Sequence, residues 1–255
     1  MKITIITVCF NSQQTIKATI KSVLNQSYKQ IEYIIIDGAS TDNTLEIIKE
    51  FSNSIDVIVS ESDAGIYDAI NKGINKSSGD VVGLLHADDV FDNNTVIENV
   101  MGLFDENIDM IYGDINYVDR KDINRVIRRW KSDNYSKGKF KWGWMPPHTG
   151  FFIKKSCYVK YGLYNLNLGS SADYELMLRM FELYNLKSKY IPLIITKMRM
   201  GGVSNSSLKN MTLILESPNP PPSFVTYTEG VFLRISCKYL FTKQIPQRVY
   251  IICDS

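Results

Sequence analysis

Residues 81–89, VVGLLHADD, carry the reading that decides how the first half of this chain folds. Val81 to Leu85 is a short apolar run of the kind buried on both faces of a sheet, and it stops abruptly at His86-Ala87-Asp88-Asp89. The same punctuation recurs upstream. Ile3 to Cys9 is a β-branched run ended by Asn11-Ser12, Ile31 to Ile36 halts at Asp37-Gly38, and Asp56 to Ser60 runs on into Asp63. Between these runs lie segments with helical spacing. Gln13 to Asn25 aligns Ile16, Ile20, Val23 and Leu24, and Ser12 is placed to cap it. A segment opening at Thr41 or Asp42 turns Leu45, Ile47, Ile48 and Phe51 inward, and Tyr67 to Ile74 is a third helix. Strands alternating with helices imply βαβ units. The expected fold class is therefore α/β, with a central, mostly parallel sheet flanked by helices.

In such sheets, ligands bind beyond the carboxyl ends of the strands. Those ends here carry Asn11, Asp37, Asp63 and Asp88-Asp89. Any one of them is an ordinary turn or cap residue, but the set converges on one rim. Adjacent carboxylates repel each other, and a divalent cation offsets that repulsion; oxygen ligands suit Mg²⁺ or Mn²⁺. The competing reading makes Asp88-Asp89 an exposed cap, with Val90 onward turning into a helix. Asp37 can accept from an imide N–H such as that of uracil, and Gly38 permits the tight turn beside it. Ser40, Asp42 and Thr44 read equally well as capping residues.

Composition narrows the field. The 255 residues are 44% hydrophobic, enough for a large core, with Lys+Arg 29 against Asp+Glu 27 for a net charge of +2. That balance argues against nucleic-acid binding through a polybasic surface. Cys9, Cys157, Cys237 and Cys253 are widely spaced, so they form no thiolate zinc motif and demand no disulfide. With only His86 and His148 as histidines, a metal would be held mostly by carboxylates. The opening MKITIITVCFNS is too short in its apolar run for a signal peptide, and no window approaches the roughly 18 apolar residues of a spanning helix. A cytoplasmic location is expected.

Beyond Phe91 the pattern loosens. Met110 to Gly113 reads as a strand, Tyr117 to Trp130 as a polar, basic hairpin, and Lys137 to Pro147 is rich in aromatic and cationic residues. Phe151 to Lys154 is another strand and Ala172 to Tyr184 an amphipathic helix. ESPNPPP, residues 216–222, breaks any regular element and marks a linker. The stretch 230–250 after it mixes apolar with basic side chains. It is suited either to lying on an anionic membrane or to packing on the rest of the chain.

Seven stretches in order resemble the family 2 glycosyltransferases. They are ITIITVCFN (3–11), IEYIIIDGASTDNT (31–44), SESDAGIYDAINKGINKSSGD (60–80), VVGLLHADD, PPHTGFFIKKSCYVKYGLYN (146–165), SADYELMLRM (171–180) and MRMGGVSNSS (198–207). The resemblance spans roughly 2–207 and implies the GT-A fold, the Rossmann-like fold of nucleotide-diphospho-sugar transferases. It implies a nucleotide-binding half over 1–90, an acceptor-binding and catalytic-base half over 91–207, and a linker with a helical tail over 208–255. The donor would be a nucleotide-sugar, commonly UDP-linked, bound with Mn²⁺ or Mg²⁺. The acceptor would be a saccharide or lipid-linked saccharide, in cell-surface polysaccharide assembly. Peripheral membrane contact through the tail fits such an acceptor.

Carried over position by position, Thr7 and Asn11 line the nucleoside pocket, Asp37 faces the base, and Asp63 lies near the nucleoside. Asp88 and Asp89 fill the DXD-type motif, with Asp89 the direct metal ligand and Asp88 towards ribose or metal. His86 departs from the Asn or Asp common at its position. Imidazole suits Mg²⁺ poorly, so His86 is expected behind the metal rather than on it. Asp173 matches the catalytic base, the other reading being a helix N-cap. Glu175 would point about 200° away around the helix. His148 is expected either to contact phosphate or acceptor or to be structural. Phe140, Trp142 and Trp144 are expected to stack on sugars or to serve as core or lid, and Arg199 and Gly201-Gly202 to lie near the phosphates.

A base-activated hydroxyl in a single displacement inverts the anomeric centre, so an inverting transferase is expected. Of the rivals, a dinucleotide-dependent oxidoreductase needs G-x-G-x-x-G after the first strand, where CFNSQQT stands. A sugar-nucleotide pyrophosphorylase needs a glycine- and basic-rich loop there. A non-catalytic nucleotide-sugar-binding module would have the base or metal position broken, yet Asp88, Asp89 and Asp173 are present.

Overall fold

A computed structural model describes residues 1–201. The expected linker and tail over 208–255, with Cys237 and Cys253, lie outside the described residues. The first half alternates as expected: β1 (Ile3–Cys9), α1 (Ile16–Leu24), β2 (Ile31–Asp37), α2 (Thr44–Lys49), β3 (Val57–Ser60), α3 (Ile66–Lys76) and β4 (Val81–Leu84). Then follow β5 (Val90–Phe91), α4 (Val96–Met101), β6 (Met110–Val118), β7 (Val126–Trp130), β8 (Phe151–Lys154), α5 (Lys155–Tyr161), α6 (Ala172–Leu178) and β9 (Ser188–Arg199).

The nine strands of the described residues join one sheet in the order β3-β2-β1-β4-β8-β6-β9-β5, with β7 paired to β6. β3, β2, β1 and β4 run parallel, and β6 pairs parallel with β9. β8 is inserted antiparallel between β4 and β6. Side-chain alternation along β1 explains why helices cover both faces. Ile6 and Val8 join Ala69, Ile70 and Ile74 of α3 and Leu176 and Met177 of α6. Ile3, Ile5 and Cys9 join Ile16, Ile20 and Val23 of α1 and Val96, Ile97 and Val100 of α4.

Several expectations shift. α1 starts at Ile16, because the Ser12 carbonyl first accepts from the Thr15 and Ile16 amides in a turn. The Ser12 hydroxyl donates back to the Phe10 carbonyl instead of capping. α2 starts at Thr44, whose amide donates to the Asp42 carboxylate at 2.9 Å. The helix considered from Val90 does not form there: Val90 and Phe91 pair with Lys197 and Thr196 of β9. The helix expected over Ala172 to Tyr184 is α6 continued by a π turn over Arg179–Leu183.

Candidate active site

The chain leaving β4 continues along β1 for one more residue, the Leu85 amide donating to the Ile6 carbonyl at 3.0 Å. It then turns back, with the Asp89 amide donating to the His86 carbonyl at 3.0 Å. The Thr19 hydroxyl of α1 lies 2.9 Å from the Ala87 carbonyl and 2.7 Å from that of Asp89, so one buried hydroxyl holds both ends of this turn. The two carboxylates consequently part. Asp89 is fully buried; its Oδ1 accepts from the Arg199 amide at 3.2 Å, and its Oδ2 has no partner among the described residues. Burial, and then the charge of Asp88, push the Asp89 carboxyl well above the usual carboxylate range.

Asp88 remains partly exposed. Burial raises its carboxyl too, while its own backbone amide and the charges of Arg199, Arg120 and His148 draw it back down. The Arg199 guanidinium donates to the Asp88 carbonyl, and that of Arg120 donates to the Gly201 carbonyl at 3.1 Å. Asp88 is thus the more solvent-accessible carboxylate of the pair, and Asp89 the more enclosed. Arg120, unlike Arg199, carries no signal in the sequence, and it reaches this rim only because β6 and β9 run side by side to Val118 and Arg199.

His148 acts electrostatically on both Asp88 and Asp173, and the His86 ring lies beside it. His86 is buried, its Nδ1 has no partner among the described residues, and its ring lies 5.0 Å from that of His148 at 49°. Burial, and then the His148 charge, push the His86 imidazole down to about 3, so it is neutral near pH 7. His148 Nδ1 stands 3.6 Å from Asp173 Oδ2. Burial pushes His148 down as well, against the pull of Asp173 and Asp88.

Asp173 sits inside the first turn of α6 and not at its N-cap, which is Ser171. Its Oδ1 accepts from the Tyr174 amide at 2.8 Å. Glu175 turns away, as the helical angle requires, and its two oxygens meet Arg179 at 2.8 and 3.1 Å. α3 holds this wall in place. Asn71 exchanges two hydrogen bonds with the backbone of Tyr164, at 2.9 and 3.0 Å, and the Tyr67 hydroxyl donates to the Ser170 carbonyl at 3.4 Å.

The ends of β1, β2 and β3 form the other part of the rim. Asp37 is fully buried and accepts from the Ser40 amide at 3.1 Å, the Ser40 hydroxyl at 2.5 Å and the Ser60 hydroxyl at 2.7 Å. Asn11, at φ +48°, accepts from the Thr41 amide at 2.9 Å. A Cβ on Gly38 would lie 2.6 Å from Asp63 Oδ2, so only glycine lets Asp63 close over this loop. Asn11, Asp37 and Asp63 therefore lie together. Thr7 does not line this rim: its fully buried hydroxyl is bonded to the Tyr33 hydroxyl at 3.1 Å, on the face that α1 covers. The reason is the two-residue period of a strand, which turns Val8 to the other side.

Among the described residues, no three His, Cys, Asp or Glu side chains gather to hold a metal ion. Asp88 nevertheless fits a hard divalent cation that takes its other ligands from phosphate and water, the usual arrangement for Mg²⁺. A carboxylate held partly out of water is costly when ionised, and a cation would relieve that cost.

The sequence model described as glycosyl transferase family 2 matches residues 4–164. This chain belongs to glycosyl transferase family 2. An uncharacterized glycosyltransferase of Mycobacterium tuberculosis is 31% identical over 182 residues, covering 69% of this chain and 68% of the relative. A PGL/p-HBAD biosynthesis glycosyltransferase of Mycobacterium bovis is 26% identical over 203 residues, covering 77% and 76%. The Escherichia coli UDP-Glc:alpha-D-GlcNAc-diphosphoundecaprenol beta-1,3-glucosyltransferase WfgD is 31% identical over 122 residues, covering 48% of each. Among solved structures, S. aureus TarS 1-349 in complex with UDP superposes with a TM-score of 0.65 at 16% identity, covering 86% of this chain and 67% of that one. The mannosyltransferase PcManGT of Pyrobaculum calidifontis, in complex with GDP-Man and Mn²⁺, gives 0.61 at 16%, covering 87% and 66%. At that identity the likeness shows the fold, and for this family 2 glycosyltransferase the fold is GT-A.

Proposed function

We propose that this family 2 glycosyltransferase moves a hexosyl or N-acetylhexosaminyl group from a UDP-linked sugar to a hydroxyl of a saccharide or lipid-linked saccharide, with inversion, in cell-surface polysaccharide biosynthesis. One observation carries the reading: Asp88 and Asp173, from distant parts of the chain, both act electrostatically on the same imidazole, His148, with Asp173 Oδ2 3.6 Å from its Nδ1. A diphosphate held at Asp88 and a hydroxyl held at Asp173 would place the anomeric carbon between a leaving oxygen and an attacking one.

Asn11, Asp37 and Asp63 would receive the nucleoside at the tips of β1, β2 and β3, with Asp37 setting the loop that meets the base. Asp88 would hold Mn²⁺ or Mg²⁺, which when bound neutralises the charge growing on the leaving diphosphate. Arg199 and Arg120, which already compensate Asp88, add positive charge on that side. Asp173 accepts the acceptor proton as the hydroxyl oxygen bonds to C1 and the C1–O bond to phosphate breaks. UDP leaves, and an α-linked donor becomes a β-linked product. His148, beside Asp173, orients the carboxylate. No helix of the described residues is long and apolar enough to cross a membrane. The reaction is assigned to the cytoplasmic side, where nucleotide-sugars are found, with the tail as a peripheral membrane contact.

The decisive experiment replaces Asp173 by Asn and follows transfer from UDP-sugars alongside UDP binding by calorimetry. Turnover should fall by about 10²–10⁴-fold, the usual contribution of a positioned base, while UDP affinity stays within about twofold. Unchanged turnover would remove Asp173 as the base, and a product of retained α configuration by NMR would overturn the single displacement.

A further inference from the structure

The aromatic stretch ahead of His148 contains one ring that the fold does not use. Lys139–Trp142 is a single 3₁₀ turn bounded by Gly138 at φ +89° and Gly143 at φ +74°, conformations that side-chain-bearing residues adopt only at a cost. Its two aromatic residues have opposite fates. Phe140 is fully buried, with ring centroids 5.3 Å from Trp144, 5.7 Å from Tyr174 and 5.5 Å from Phe181. Trp142 is 79% exposed and makes no ring contact among the described residues. Tryptophan is seldom left so bare, since its indole offers a large apolar face.

The turn is fastened to the wall that carries Asp173. The Tyr174 hydroxyl donates to the Phe140 carbonyl at 2.9 Å, and the Gly138 amide donates to Glu182 Oε1 at 2.7 Å. Tyr174 is the residue after Asp173. These two bonds fix the backbone of the turn, two residues from Trp142, against α6 and its π continuation.

We propose that Trp142 is the stacking platform for the acceptor saccharide. The inference rests on the glycosyl transfer proposed above and names where its second substrate sits. One face of a pyranose is a patch of C–H bonds, which covers an indole while the ring hydroxyls stay hydrated or hydrogen-bonded. A membrane surface fits less well: its insertion calls for several apolar side chains side by side, and Trp142 is flanked in sequence by Lys141 and Gly143.

Saturation-transfer NMR on the full chain loaded with UDP and Mg²⁺, using the methyl glycosides of glucose, galactose, mannose and N-acetylglucosamine as probes, tests this. At least one glycoside should receive saturation, strongest on the protons of one ring face. Trp142→Ala should weaken it by about five- to tenfold, and Trp142→Phe should retain most of the binding. UDP affinity should be the same in all three proteins. Equal glycoside binding in Trp142→Ala overturns the platform, as does a UDP-loaded wild type that binds no glycoside. Loss of binding to phosphatidylglycerol vesicles, with glycoside binding intact, would reassign the indole to a membrane and also overturn it. Failure of the wild type to bind UDP would instead sink the reading on which the platform rests.

Discussion

The peptide from Ala87 to Val90 sends two carboxylates to different surroundings. Asp89 accepts from the Arg199 amide in a sealed position, and Asp88 keeps access to solvent. A ligand that joins protein to diphosphate must be reachable, so Asp88 is the metal contact in the proposed reaction. In thermal unfolding with UDP present, adding Mn²⁺ at about a hundredfold excess over its dissociation constant should raise the wild-type midpoint by about 5–10 °C. Asp88→Asn should abolish that increment and Asp89→Asn should keep it. The opposite pattern would return the ligand role to Asp89. The adjacent pair was plain in the sequence, but which member faces outward was not. A turn outside regular structure has no period from which side-chain direction can be read, and here Thr19 and Arg199, from two other elements, set it.

At the scale of elements, α3 joins the rim of strand tips to the wall that carries Asp173. It begins just after Asp63, its Asn71 and Tyr67 hold the backbone ahead of Asp173, and its apolar face lies on β1 and β2. Gly73 makes the close approach possible, since a Cβ there would stand 2.5 Å from Ile6 Cγ2. Alanine is favoured over glycine in a helix by about 1 kcal/mol, yet overpacking a filled core costs about 1–3 kcal/mol. Ile6 is fully enclosed and has nowhere to yield, so the steric term should win. Gly73→Ala should lower stability by about 1–2 kcal/mol in urea unfolding, and a stabilised variant would show that α3 can shift.

The helix over Tyr67 to Ile74 was readable because its apolar residues keep a helical period beside polar ones. β9 escaped notice because its 12 residues mix Lys189, Pro192 and Lys197 with apolar side chains and show no regular alternation. Its pairing with both β5 and β6 supplies the order that its pattern lacks.

Across the described residues, the candidate site and a hydrogen-bonded buried carboxylate occupy opposite ends of the sheet. The carboxyl ends of the strands carry the candidate site, while Glu32, at the start of β2, gathers the other end. Burial alone would raise its carboxyl, but hydrogen bonds from the Ser78 amide and hydroxyl, the Thr4 hydroxyl and the Lys2 ammonium outweigh that and hold it at about 2. A depressed carboxylate stabilises the fold above its ordinary pKa and loses that contribution as pH falls through the folded value. Stability should therefore drop as pH falls from about 4.5 to about 2. His86, pushed down to about 3, adds a loss of the same sign that starts higher, below its ordinary value of 6.5. Glu32→Gln should cost on the order of 2–3 kcal/mol at pH 7 and flatten the acid limb below pH 4.5, measured by urea unfolding across pH. An unchanged acid limb would mean that Glu32 is not its source.

The amino-acid sequence by itself determined the parallel first half of the sheet, the acidic strand tips and the family. These follow from local patterns: apolar runs, helical spacing and residues that end strands, each legible within a window of about ten positions. Tertiary structure alone decided that Asp88 is open and Asp89 sealed, that Thr7 faces away from the rim, and that His148 stands between His86 and Asp173. The physical reason is that a side chain's exposure and partners depend on what packs against it. For these residues the neighbours arrive from as far along the chain as Arg199, brought there by β9 pairing between β6 and β5 in the sheet.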